Sequence, residues 1–174
     1  MKSILKKLIG SFLLIVLVTG VSAQKKEERK EKRQKAYQEC LQLIESGEFK
    51  FEAEKAYPQG GSSIDLTTNY GFIKISENKS IGDLPFFGRA YRMDYGADGG
   101  INFEGEILNK KLTRDDKKMK VTLSYEVKDK ETYTVIMDIF SKKSASTIIR
   151  TDSKAHISYS GQITELKKEN YKGK

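Results

Sequence analysis

Apolar and polar residues alternate with a period of two along most of the chain. The pattern is clearest in KVTLSYEVK, where Val121, Leu123, Tyr125 and Val127 share one face. Thr122, Ser124 and Glu126 take the other, as on a strand with one buried side. Asp129-Lys130 then reads as a tight turn into ETYTVIMDIF, with Tyr133, Val135, Met137 and Ile139 on one face. Phe49, Phe51 and Ala53 alternate in FKFEAEKAY, and Ile101, Phe103, Gly105 and Ile107 in INFEGEIL. Ile157, Tyr159, Gly161 and Ile163 do the same in HISYSGQIT, and Lys142-Lys143-Ser144 and Thr151 to Lys154 bound ASTIIR. Pro58-Gln59-Gly60-Gly61 is a turn signal, and SIDLTTNYGFIKISEN reads as two short extended pieces broken near Asn69 to Gly71.

One segment departs from this period. Tyr37, Cys40, Leu41 and Ile44 fall at i, i+3, i+4 and i+7, which predicts a helix with one apolar face. Gly47 is placed to end it, so the predicted helix runs from about Glu27 to Ser46. Eight or nine short strands after one helix must hide a long apolar face, by closing into a barrel or folding into a sandwich. Consecutive tight hairpins favour an up-and-down antiparallel barrel of about eight strands, with the helix placed to close one end. An outer-membrane barrel is rejected, because it would put Glu and Lys into a narrow lumen and leave the helix face without a partner.

Charge and composition narrow the picture further. The formal charge of +8 is unevenly spread. Lys2, Lys6 and Lys7 precede the apolar run LIGSFLLIVLVTGV, and Val21-Ser22-Ala23 supplies small residues before Gln24. That is the layout of a cleaved secretory signal, and the run is shorter than a membrane span. KKEERKEKRQK, Lys25 to Lys35, holds seven basic and three acidic residues. The rest of the chain is close to neutral, which argues against a nucleic-acid binder. The run reads as a solvated helix face supported by Glu/Lys pairs. The organisation expected is a leader at 1–23, a charged helical segment at 24–47, a barrel domain at 48–164 and a flexible tail at 165–174.

Catalytic and metal-binding patterns are weak. His156 is the sole histidine and Cys40 the sole cysteine, too few for a tetrahedral zinc site or an internal disulfide. Cys40, within the helical apolar stripe, reads as a small buried hydrophobe. His156 reads as an exposed residue at a strand edge. Asp94 and Asp98 do not match a calcium loop, and Gly60-Gly61 and Gly99-Gly100 match no phosphate loop. Glu104 and Glu106 share a strand face and could approach as a carboxylate pair, although outward solvated glutamates are simpler. No catalytic residue, metal or cofactor is assigned.

The stretch DLPFFGRAYRMDYGADGGINF concentrates aromatic and glycine residues. With Phe49-x-Phe51-x-Ala53, Pro58-x-Gly60-Gly61, Asn69-Tyr70 and the later ISYSGQI, its run Leu84-Pro85-Phe86-Phe87-Gly88-Arg89-Ala90-Tyr91 resembles the DUF4251 family of exported Bacteroidetes proteins. The similarity runs from about Glu39 to Thr164. It implies a small barrel of lipocalin-like topology with an N-terminal helix, and it implies no activity.

Three functions are consistent with these readings. The first is a non-enzymatic periplasmic or secreted barrel holding a small apolar or amphipathic ligand, lined by Phe87, Arg89, Tyr91 and Tyr95. The alternative role for those side chains is core packing, with Arg89 paired to a carboxylate. The second is a structural protein that meets an envelope partner through the helix at Lys25 to Lys35. The third, more remote, is a hydrolase using Glu104 and Glu106. The mature chain is expected to have no transmembrane segment.

Overall fold

The structure, a computed structural model, describes residues 25–92 and 99–166. The expected leader, Asp94, Tyr95 and Asp98 lie outside the described residues, as does the tail beyond 166. The chain divides into two compact units between Ala36 and Tyr37. Within the first, residues 25–36 are helical, and 25–35 are exposed on every side. The helix, α1, spans residues 25–45.

The second unit holds the last turns of α1 and nine strands. These are β1 (Glu48–Pro58), β2 (Ile64–Asp65), β3 (Gly71–Ser76), β4 (Lys79–Leu84), β5 (Ile101–Asp115), β6 (Lys120–Lys128), β7 (Thr132–Phe140), β8 (Ser144–Arg150) and β9 (Ile157–Glu165). Every pairing is antiparallel and β1 pairs with β9, so β1 and β3 to β9 close into an eight-stranded up-and-down barrel. The short β2 continues the line of β3 along the same edge of β1, at Lys55 and Ala56.

The alternation read from the sequence is the inside/outside alternation of this barrel. Val121, Leu123, Tyr125 and Val127 on β6, and Tyr133, Val135, Met137 and Ile139 on β7, all point inward and are buried. Their polar neighbours face out, the reverse of a lipid-facing barrel. Phe51, Ile73, Ile75, Leu84, Met137 and Tyr159 have no exposed surface at all, so no water-sized space touches them. The lumen is therefore packed with side chains, as narrow eight-stranded barrels can be. Its polar atoms are few. The Ser80 and Tyr125 hydroxyls bond to each other at 3.0 Å, and burial pushes the Tyr125 phenol pKa up.

Two features depart from simple alternation. On β1 the buried set runs Phe49, Phe51, Ala53 and then Ala56, a change of phase. A bulge between Ala53 and Lys55 in the pairing with β9 causes it, since one extra residue flips every later side chain. Gly161 sits opposite, where an added Cβ would overlap the Glu52 carbonyl oxygen, so this crossing requires glycine. The second departure is β5, which extends to Asp115, well past the alternating INFEGEIL. Its first part pairs with β4 to Glu106 and its second with β6 from Ile107, around a bulge between Leu108 and Lys111. Asn109 there has φ 53°, a left-handed conformation that Asn tolerates.

The end of α1 closes one mouth. Tyr37, Cys40, Leu41 and Ile44, the expected stripe, are buried in the core together with Leu43. The Tyr37 hydroxyl donates to Asp116 in the β5–β6 turn at 2.9 Å, and the Cys40 thiol to the Phe140 carbonyl at 3.6 Å. Arg114 of β5 pairs with Glu45. Burial raises the pKa of the Cys40 thiol and holds it protonated, in keeping with the role of a small hydrophobe.

Candidate functional site

The other mouth is formed where β1, β4, β6 and β8 end and β3, β5, β7 and β9 begin. The residues of LPFFGRAY after Leu84 leave β4 here and cross to the β8–β9 loop. Ala90 forms an isolated antiparallel bridge with Lys154. The Ala155 amide donates to the Arg89 carbonyl at 2.9 Å, and the Tyr91 and Arg92 amides donate to the Ser153 carbonyl at 2.7 and 3.2 Å. The Tyr159 hydroxyl, rising from the lumen, donates to the Pro85 carbonyl at 2.9 Å. Phe86 packs against the core, and the Lys154 ammonium lies 5.6 Å from its ring centre. The segment is thus a strap across the mouth, held mainly through its backbone. Proline and glycine suit such a segment because they fix or free the chain without needing side-chain contacts.

Of the expected ligand-lining side chains, the strap leaves Phe87, Arg89 and Tyr91 exposed. Phe87 is 38% exposed and Tyr91 62%, and Arg89 is also exposed. None of the three belongs to the core cluster. Tyr70, 82% exposed, lies just before β3, so its ring adds to the exposed aromatic surface at this end.

Beside the strap opens a cleft of about 600 Å³. That volume is within the range of small-molecule sites. Its walls come from four places: Arg92 at the end of the strap, Gly99, Gly100 and Asn102 leading into β5, Lys128 to Tyr133 across the β6–β7 turn, and Asp152 to Lys154 in the β8–β9 loop. Tyr133 is the one core residue among them. The cleft therefore sits on the rim and does not enter the lumen.

Internal hydrogen bonds fix its shape. Glu131 accepts from the Ser153 amide at 3.0 Å and from the Ser153 hydroxyl at 2.7 Å, one bond to each carboxylate oxygen. This ties the β6–β7 turn to the β8–β9 loop. Asp129 accepts from the Glu104 amide at 3.3 Å, and its own amide donates to the Glu131 carbonyl. The Lys154 ammonium donates to the Gly100 carbonyl. Burial, and then the charges of Glu131 and Asp129, push the Tyr133 phenol up to about 12. It therefore stays a neutral donor in the cleft wall at physiological pH.

Sequence reasoning singled out the strap but not the cleft. Asp129-Lys130 was legible as a turn and Thr151 to Lys154 as a boundary, yet nothing local says that these loops meet. The order of an up-and-down barrel puts them on one rim, and that order was the signal available. The other candidate groups do not line the cleft. His156 is exposed just before β9, and Glu104 and Glu106 point outward from β5. Among the described residues, no three His, Cys, Asp or Glu side chains gather as a metal site would require. No described helix is long and apolar enough to cross a membrane.

Comparison with known proteins agrees with this architecture. A crystal structure of a DUF4251 family protein from Bacteroides eggerthii DSM 20697 superimposes with a TM-score of 0.59 at 17% identity. The match covers 75% of this chain and 88% of that one. None of the curated proteins compared with the chain matches it. The family model for the domain of unknown function DUF4251 matches residues 31–163, so the chain belongs to the DUF4251 family.

Proposed function

We propose that the protein is an exported, non-enzymatic barrel, periplasmic or secreted, that binds a small amphipathic ligand on its strapped rim. The observation that carries this reading is the contrast between a lumen lined by buried side chains and a polar rim cleft of about 600 Å³. A wholly apolar ligand would need the lumen. An amphipathic one can set its polar part in the cleft and its apolar part against exposed rings such as Tyr91 and Phe87. The non-enzymatic reading is supported by the placement of the reactive side chains. The Cys40 thiol is buried and protonated, and His156 is exposed and does not line the cleft. Export is supported by the leader-like layout of residues 1–23.

Native mass spectrometry of the chain purified from its own cells tests this directly. A mature chain beginning at Gln24 and carrying a small molecule is expected. Thr132→Trp, which fills the cleft, should release that molecule without changing the thermal melt. Retention of the molecule by this variant contradicts the rim site, and an uncleaved chain beginning at Met1 contradicts export.

A second reading has an observation of its own. Residues 25–35 form a charged helix exposed on every side, which suits a contact element for an envelope partner. Deleting them should abolish capture of that partner and leave the melt unchanged. An unchanged set of captured partners contradicts it.

A further inference from the structure

We infer that the rim cleft takes a small organic anion, its carboxylate or phosphate held by Arg92, Lys128 and Lys130. This rests on the rim-binding reading above and gives it a chemical class.

By composition alone the cleft looks balanced, with Arg92, Lys128, Lys130 and Lys154 against Asp129, Glu131 and Asp152. Its hydrogen bonds separate the groups that hold the loops from those that remain uncommitted. Both oxygens of Glu131 accept bonds from Ser153. Asp129 is used by the Glu104 amide. These two acids keep their charges, and their hydrogen bonds tie them to the loops they hold. Lys154 is committed as well, to the Gly100 carbonyl and the Phe86 ring.

The side chains of Arg92, Lys128 and Lys130 make no hydrogen bond or ion pair with any described residue. Asp152 is the one acid in the wall with its carboxylate likewise uncommitted. Among the described residues the wall carries four cations against three acids, and the three uncommitted cations are available to meet a negative group. A guanidinium in such a wall can grip a carboxylate or phosphate with two parallel bonds, while the two ammonium groups supply point charge.

The strap also fixes where the rest of the ligand goes. The Tyr91 and Arg92 amides both bond to the Ser153 carbonyl, so the backbone of both residues is anchored at the cleft edge. Tyr91, the neighbour of Arg92 in the chain, is 62% exposed, and its ring is accessible to the carbon skeleton of a ligand. A ligand with a charged end and a carbon skeleton of sugar size matches both features and the volume.

Isothermal titration calorimetry of residues 24–174 at low ionic strength, with glucuronate, glucose 6-phosphate and glucose as probes, tests the class. Both anions should bind and glucose should not. Arg92→Gln and Lys130→Gln should each weaken anion binding about tenfold without moving the melt, as expected for loss of one charge-assisted contact. Raising the salt should weaken it further. The tighter of the two anions identifies carboxylate or phosphate as the preferred end. Failure of both anions to bind, glucose binding as well as they do, or binding unchanged in the Arg92→Gln/Lys130→Gln double variant overturns the inference.

The two readings fail separately. If Thr132→Trp releases an uncharged co-purified molecule, the anion class is wrong and the rim site stands. If that variant keeps its molecule, the rim site itself is wrong.

Discussion

The two mouths of the barrel are closed by different physics. At one, α1 inserts Tyr37, Cys40, Leu41, Leu43 and Ile44 into the core, and closure comes from apolar burial. At the other, the strap is pinned by backbone hydrogen bonds to the β8–β9 loop, and only Phe86 reaches inward to the core. Burial is non-directional and excludes water. Hydrogen bonds fix geometry and leave polar groups at the surface. The first mouth is thus a plug that contributes to stability, and the second is a shaped surface that can contribute to recognition.

The contrast breaks most plainly at the plug. Ile44→Ala should cost about 2–4 kcal/mol, the usual penalty for truncating a buried Ile, read as a lower urea midpoint with an unchanged slope. A loss under about 1 kcal/mol would mean that the helix end is not part of the core. At the strapped mouth, Glu131→Gln should cost about 1–2 kcal/mol, since a charge-assisted pair of bonds to Ser153 becomes neutral. Amide exchange should quicken at 129–133 and 151–154 and leave α1 unaffected. Equal loss of protection at both mouths would contradict their independence.

Alkaline titration compares the two ends through one tyrosine each. Burial, then the bond to Asp116, raise Tyr37 to about 12, and burial with Glu131 and Asp129 raise Tyr133 to about 12. An ordinary phenol titrates near 10. Between those values the folded chain keeps a proton that the unfolded chain has lost, so stability falls as pH rises through that window and is unaffected below it. Tyr37→Phe and Tyr133→Phe should each remove part of the fall. Denaturation curves at pH 9 and pH 11.5 check the sign; buried Tyr125 and Tyr159 should keep the rest of the fall, and a fall undiminished by both substitutions contradicts the account.

The smallest effect concerns the wall between the mouths. The Thr147 hydroxyl is fully buried with no hydrogen-bond partner among the described residues. Thr147→Val should stabilise by up to about 1 kcal/mol, because an unsatisfied hydroxyl is removed from an apolar site. Destabilisation would mean that the lumen holds water there.

Much of this architecture was legible in the chain because the barrel repeats one rule. Each of β6, β7 and β9 has polar residues outside and apolar residues inside, and the buried sets match the alternation residue for residue. The helix stripe was legible for the same reason, at its own period. Legibility failed where the rule is interrupted. Residues 109–114 of β5 are exposed, so NKKLTRD shows no alternation. The strand β4 was hidden too, since Gly82 occupies an inward position where its partner Phe103 fills the space a side chain would take. The cleft was beyond a local reading because its walls come from segments that meet only after closure. Phe87, Arg89 and Tyr91 are exposed because a strap fixed by its backbone is free to turn its side chains outward, and sequence alone does not show that.

The central claim is that the lumen is filled and the strapped rim is where a ligand meets the protein. Amide chemical-shift mapping of residues 24–174 during titration with glucuronate tests it most directly. The account predicts shifts confined to Arg92, residues 128–133 and residues 152–154. Shifts centred on lumen-facing positions such as Tyr125, Met137 and Tyr159, or on the plug at Cys40 and Ile44, would contradict it.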